Sequence, residues 1–90
     1  MKFDEARDRV ISAIHLATGA LNDKHVWNTL ANQDDVDFSD IELDSLAAME
    51  MCVEIEEKTG IEIDLGDLAQ NPSVNALAKF MVGKTGTHNR

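Results

Sequence analysis

Spacing constrains this chain more than any other feature. Apolar residues recur three, four and seven positions apart in several long segments, and no run alternates convincingly with a period of two, so helices are expected and sheets are not. Phe3, Val10, Ile14, Ala17 and Leu21 mark a first amphipathic helix, widened by Ala6, Ile11 and Ala13. Asp4 and Glu5 fall in its first turn, and Gly19 predicts an end between Ala17 and Leu21. A second helix is expected from Ser45 to about Thr59, stopped by Gly60. One of its stripes, Ala48, Met51, Cys52, Ile55 and Thr59, has the spacing of a core face, while Leu46, Met49, Glu50, Val53 and Glu57 form another. Ile61 and Ile63 read as a short extended link, Asp64 as the cap of a brief helix through Ala69, and Pro72-Ser73 as the start of a last helix containing Val74, Leu77, Ala78 and Met81. Between the first two helices, Asn22 to Asp44 reads as a long loop with a helical turn around Trp27. The expected fold is all-α: a small four-helix bundle of three main helices plus one short one, with a domain over residues 1–82 and a flexible tail over 83–90.

Size and charge narrow the function. Ninety residues make one small domain, which excludes a multidomain enzyme. A hydrophobic share of 43% suffices for a core built from aliphatic side chains, since aromatics are only 4%. The formal net charge of -9 disfavours nucleic acid and anionic membrane surfaces and favours basic protein partners. That charge is local: residues 34–67 hold 13 of the 17 acids and one base, Lys58, for a net of -12. The common fate of such a run is a solvated acidic face. A single cysteine, Cys52, excludes an internal disulfide, and the N-terminal stretch resembles neither a signal peptide nor a membrane span. A cytoplasmic monomer is expected, and Met1 with the short length favours a free-standing chain.

Inside the acidic segment, Ser45 sits between Asp44 and Leu46 at the expected start of the second helix. Unpaired backbone N–H groups and the helix dipole favour negative charge there, so a phosphate on Ser45 would be stabilised. By itself the position is equally well explained by Ser45 or Asp44 serving as an ordinary N-cap.

The run Asp40-Ile41-Glu42-Leu43-Asp44-Ser45-Leu46 resembles the attachment motif of acyl and peptidyl carrier proteins. The likeness extends over roughly Phe38 to Met81, through the acidic-apolar helix, the Gly60-Ile61-Glu62-Ile63 link, the short helix and the Pro72-Ser73-Val74 start of the last one. The resemblance implies that a phosphopantetheinyl transferase esterifies Ser45 with 4'-phosphopantetheine from coenzyme A, and that the arm's thiol then holds an acyl or aminoacyl group as a thioester. The chain itself would catalyse nothing. Asp44 would help the modifying enzyme recognise the site, Leu46, Met49 and Val53 would be apolar docking positions, and Glu50, Glu54 and Glu57 would meet basic residues on loading and downstream enzymes. A small apolar patch ringed by carboxylates suits steered, reversible docking on successive enzymes. The chain departs from the family at Glu42, where glycine is usual, and the Asn22 to Gln33 segment is unlike common fatty-acid carriers. Both departures point to a specialised pathway of the polyketide or nonribosomal peptide type.

Rival chemistries fit less well. Read from Asp35 as a calcium loop, the sixth position is Asp40, where glycine is needed, and the twelfth is Leu46, where glutamate is needed. A serine hydrolase requires a base tied to Ser45, and His15, His25 and His88 carry no such signal and no metal spacing. Cys52 lies on the core stripe and reads as an inert buried thiol. The alternative function is an unmodified acidic helical adaptor that binds a basic protein, which would tolerate alanine at Ser45.

Overall fold

The computed structural model describes the backbone of residues 1–88 and the side chains of residues 1–84. Among the described residues there are five α-helices: α1 (Phe3–Thr18), α2 (Lys24–Ala31), α3 (Ser45–Thr59), α4 (Leu65–Gln70) and α5 (Val74–His88). Single 3-10 turns occupy Ala20–Asn22 and Phe38–Asp40. α1 is the central element. It packs along both α3 and α5, while α4 lies against α3 and α2 against the 3-10 turn that follows α1.

Local chemistry sets most boundaries. The Lys2 N–H donates to the Glu5 carboxylate at the start of α1. At its end Gly19 adopts φ 71°, a left-handed conformation that suits glycine, and its N–H returns to the His15 carbonyl. α3 stops in the same way at Gly60, with φ 76° and an N–H donated to Glu56 O. α4 opens with a reciprocal cap: the Asp67 N–H donates to Asp64 Oδ1 at 2.8 Å and the Asp64 N–H to Asp67 Oδ2 at 3.0 Å. The expected helices over these stretches are all present. The backbone of α5 continues through His88, past Gly83; residues 89 and 90 of the expected tail, and the His88 side chain, lie outside the described residues.

The segment expected as a loop after Asn22 contains α2, eight residues long, more than the single turn expected around Trp27. Asp23 caps it, accepting from the N–H groups of His25 and Val26. Its buried face consists only of Val26 and Leu30, while Trp27, the most conspicuous apolar residue, is 53% exposed. Val26, Trp27, Leu30 and Ala31 do follow helical spacing, but over only two turns, too short a stretch to tell a helix from a helical turn within a loop.

The core draws on every helix. Val10, Met51, Ile55, Val74, Leu77 and Met81 are fully buried, Leu68 packs α4 onto them, and Phe38, Ile41, Ile61 and Ile63 seal the connecting segments. Each such side chain contributes roughly 1.5–3 kcal/mol through removal from water. The long connection before α3 is fastened, not floating. Phe38 donates its N–H to Pro72 O and Val74 donates to Val36 O, around an isolated bridge between Asp37 and Ser73. Asp35 Oδ1 accepts the N–H of Asn75 at 2.8 Å. Arg7, buried on α1, donates from Nε to Asn75 Oδ1 and from Nη2 to the carbonyls of Leu30 and Asp34. Helix, loop and α5 are thereby joined at one point.

Candidate functional site

Ser45 is the first residue of α3 and is exposed. The ambiguity over capping resolves in favour of Asp44, whose carboxylate accepts the Ala47 N–H at 2.8 Å. The serine hydroxyl is therefore not needed by the helix. Asp44 reaches this position through an ordinary backbone: among the described residues the only non-glycine with positive φ is Gln33. Glu42 thus occupies its place without the left-handed conformation that would demand glycine.

Along α3 the two stripes separate as their spacing predicts. Ala48, Met51, Cys52 and Ile55 are buried, joined by Ala47, while Thr59 is half-buried and donates its hydroxyl to Ile55 O. On the opposite side Leu46, Met49 and Val53 are 66%, 54% and 57% exposed. Together they form an apolar strip beginning next to Ser45, with Glu50 and Glu57 exposed beside it. Glu54 differs from these two: its side chain is only 19% exposed and pairs with Lys58 at 3.9 Å. Glu56, near Val53 by i, i+3 spacing, is exposed and was not among the residues singled out from sequence.

A groove of about 510 Å³ opens on the other side of the serine, between the end of α1, the start of α2 and the start of α3. Asp44 and Leu46, the two neighbours of Ser45, both line it. Asp23, Asp40, Glu42 and Glu50 add carboxylates, and no lysine or arginine is among its lining residues. Sequence periodicity could not assemble this feature, because its parts come from three elements and a loop.

The remaining reactive groups lie apart from this chemistry. Cys52 is buried, and burial first, then the Asp64 and Asp67 carboxylates, pushes its thiol pKa up, so it is protonated at neutral pH. His15 accepts the Leu21 N–H at Nδ1, 3.2 Å away, and so holds the turn after α1. Among the described residues no group of His, Cys, Asp and Glu side chains could hold a metal ion, and no helix is long and apolar enough to cross a membrane.

An exposed, disengaged serine at a helix start, flanked by an apolar strip and carboxylates, is the candidate site for attachment and docking. The family model described as "Phosphopantetheine attachment site" matches residues 26–81, more than half of the chain and the whole of α3. The chain belongs to this family, that of the acyl and peptidyl carrier proteins, and its role is that of a phosphopantetheine carrier. It is also 41% identical over 54 residues to the non-reducing polyketide synthase ascC of Acremonium egyptiacum, a match covering 60% of this chain and 2% of that synthase. No solved structure shows significant similarity to the chain.

Proposed function

We propose that Ser45 carries the 4'-phosphopantetheine arm and that the chain shuttles acyl intermediates between the enzymes of a specialised, polyketide-type biosynthetic pathway, without catalysing a step itself. The observation that carries this reading is the division of labour at the start of α3: Asp44 caps the helix through the Ala47 N–H, and the exposed Ser45 hydroxyl is left for modification. In loading, a phosphodiester forms at Ser45 Oγ, the hydroxyl proton leaves, and the adenosine bisphosphate half of coenzyme A is released. The negative phosphate then sits at the positive end of the α3 dipole, beside backbone N–H groups. Once bound, the arm supplies a thiol that holds cargo as a thioester.

The rest of the surface suits serial docking. Leu46, Met49 and Val53 offer apolar contact next to the serine, and Asp44, Glu50 and Glu57 offer attraction to basic patches on the transferase and on loading and downstream enzymes. Glu54 takes part more weakly because Lys58 already neutralises it. The likeness to a polyketide synthase supports a polyketide cargo over an aminoacyl one.

The test is intact-mass analysis after incubation with coenzyme A and a broad-specificity phosphopantetheinyl transferase. One phosphopantetheine should add to the chain and none to Ser45→Ala. An unmodified wild-type chain would overturn the carrier assignment at Ser45 and favour an acidic adaptor, whose partner binding would survive that substitution.

A further inference from the structure

The corner between α1 and α2 is held by the backbone N–H groups of Gly19 to Asp23, and all but one of them donate to groups that do not titrate. Gly19 donates to His15 O, Asn22 to Gly19 O, Asp23 to Ala20 O and Ala20 to the Thr18 hydroxyl. The exception is Leu21, which donates to His15 Nδ1 at 3.2 Å. We propose that His15 is a pH-sensitive latch: when neutral it closes this corner, and when protonated it releases Leu21 and loosens the wall of the groove beside Ser45. The latch does not depend on what Ser45 carries.

The tautomer follows from the donor. A backbone N–H only donates, so Nδ1 holds a lone pair and the ring proton sits on Nε2. An imidazolium carries a proton on both nitrogens and accepts nothing. Proton uptake at Nδ1 therefore removes the bond and sets two N–H groups against each other. Histidine is the side chain whose charge ordinarily changes between about pH 5 and 8.

The charges around the corner leave this contact in control. Within one turn of His15 on α1 stand Ile11, Ser12, Thr18 and Gly19, and Ala20–Asn22 follows, all without charge. Along the chain the nearest charges are Asp8 and Arg9 earlier on α1, and Asp23 and Lys24 where α2 begins; Asp23 is engaged by the N–H groups of His25 and Val26. From α3 and the segment before it, Asp40, Glu42, Asp44 and Glu50 face Thr18, Gly19 and Ala20 across the groove, which His15 itself does not line. On α5, Lys79 is exposed and Lys84 donates to Glu62 O. Among the described residues none of these groups forms an ion pair with His15. The C-terminal end of the α1 dipole favours a cation, which offsets the lost bond in overall stability but gives Leu21 no acceptor.

The latch matters for the site because of what it holds. Ala20 and Leu21 pack against the core, and Thr18, Gly19 and Ala20 line the same groove as Asp44 and Leu46, the neighbours of Ser45. Releasing Leu21 frees the segment that connects these wall residues to α2.

The experiment follows amide exchange by NMR on the full, unloaded chain at about pH 7.5 and about pH 5, as protection relative to the intrinsic rate. Leu21 protection should fall by roughly fivefold at the lower pH, the effect of one lost hydrogen bond. Gly60, whose N–H closes α3 on Glu56 O without a histidine, should keep its protection. The Leu21 amide shift should titrate with the same midpoint as the His15 ring protons. His15→Asn sets an amide oxygen where Nδ1 stands, so its Leu21 should stay protected at both pH values, with circular dichroism showing the variant folded. His25→Asn, at the exposed histidine of α2, should leave the wild-type response intact. Equal Leu21 protection at both pH values in the wild-type chain, separate midpoints for Leu21 and His15, or a response that survives in His15→Asn overturns the latch. Parallel loss at Gly60 also overturns it, because the whole fold is then loosening.

Discussion

The Asp44 carboxylate accepts the backbone N–H of Ala47 at 2.8 Å, three residues into the helix that Ser45 begins. One side chain thus stabilises the helix and its neighbour remains available for chemistry. Asp44→Ala should lower stability by about 1 kcal/mol, the usual loss for an N-cap. Ser45→Ala should change it by less than about 0.5 kcal/mol, as exposed positions without a special contact do. Urea denaturation of the two variants side by side checks the assignment, and equal losses would contradict it.

The two faces of α3 should respond in opposite ways to truncation. Met51 is fully buried, and Met51→Ala should destabilise the domain by about 3 kcal/mol. Met49→Ala and Val53→Ala remove exposed side chains and should leave the denaturation midpoint almost unmoved, yet slow acyl transfer from a partner enzyme to the loaded carrier. A large stability loss at Met49 or Val53 would place them in the core.

Arg7 is buried, has no carboxylate partner among the described residues, and holds one acceptor each on α2, the loop after it and α5. Arg7→Ala should cost about 3 kcal/mol, because the carbonyls of Leu30 and Asp34 and the Asn75 amide lose their donor together. Arg7→Lys should recover only part of this, since an ammonium does not reproduce the planar fork. Chemical denaturation of both variants provides the measurement.

Cys52 should be silent to thiol reagents in the folded chain. Its thiol is buried and its pKa is raised, so thiolate is scarce at neutral pH. Ellman's reagent should therefore titrate no fast thiol in the unloaded chain, one after phosphopantetheine is attached, and Cys52 itself only on unfolding. The sign for stability follows from the raised pKa: the contribution of the neutral thiol is complete below the ordinary thiol range and is lost as pH rises through the folded value.

What could be read from sequence was the part whose signals are local. Asp44 and Gly60 bracket α3 and Ser73 precedes α5, each beside a stripe long enough to show its period, while the six residues of α4 were marked by the Asp64 cap alone. α2 escaped because it buries only Val26 and Leu30 while its tryptophan faces outward. Arg7 gave no sign of burial, since its partners are backbone carbonyls and an amide 23 to 68 residues away. The positions of Ser45 and of the exposed apolar strip were legible for the same reason as α3 itself, being carried on one helix. The groove was not, because Asp23, Asp40 and Glu42 converge on it only after the chain has folded.

The pairing of Val36 and Phe38 with residues 72–74 also bears on when the attachment site comes into being. While the chain is being synthesised, the stretch ahead of Ser45 has no partner for these backbone groups until Pro72 and Val74 have left the ribosome. Closing a loop of this length comes late and favours no partial structure. α3 is complete in sequence well before that moment, but Ser45 is not yet held on a fixed frame. The frame around Ser45 is thus closed last, by backbone bonds to the start of α5.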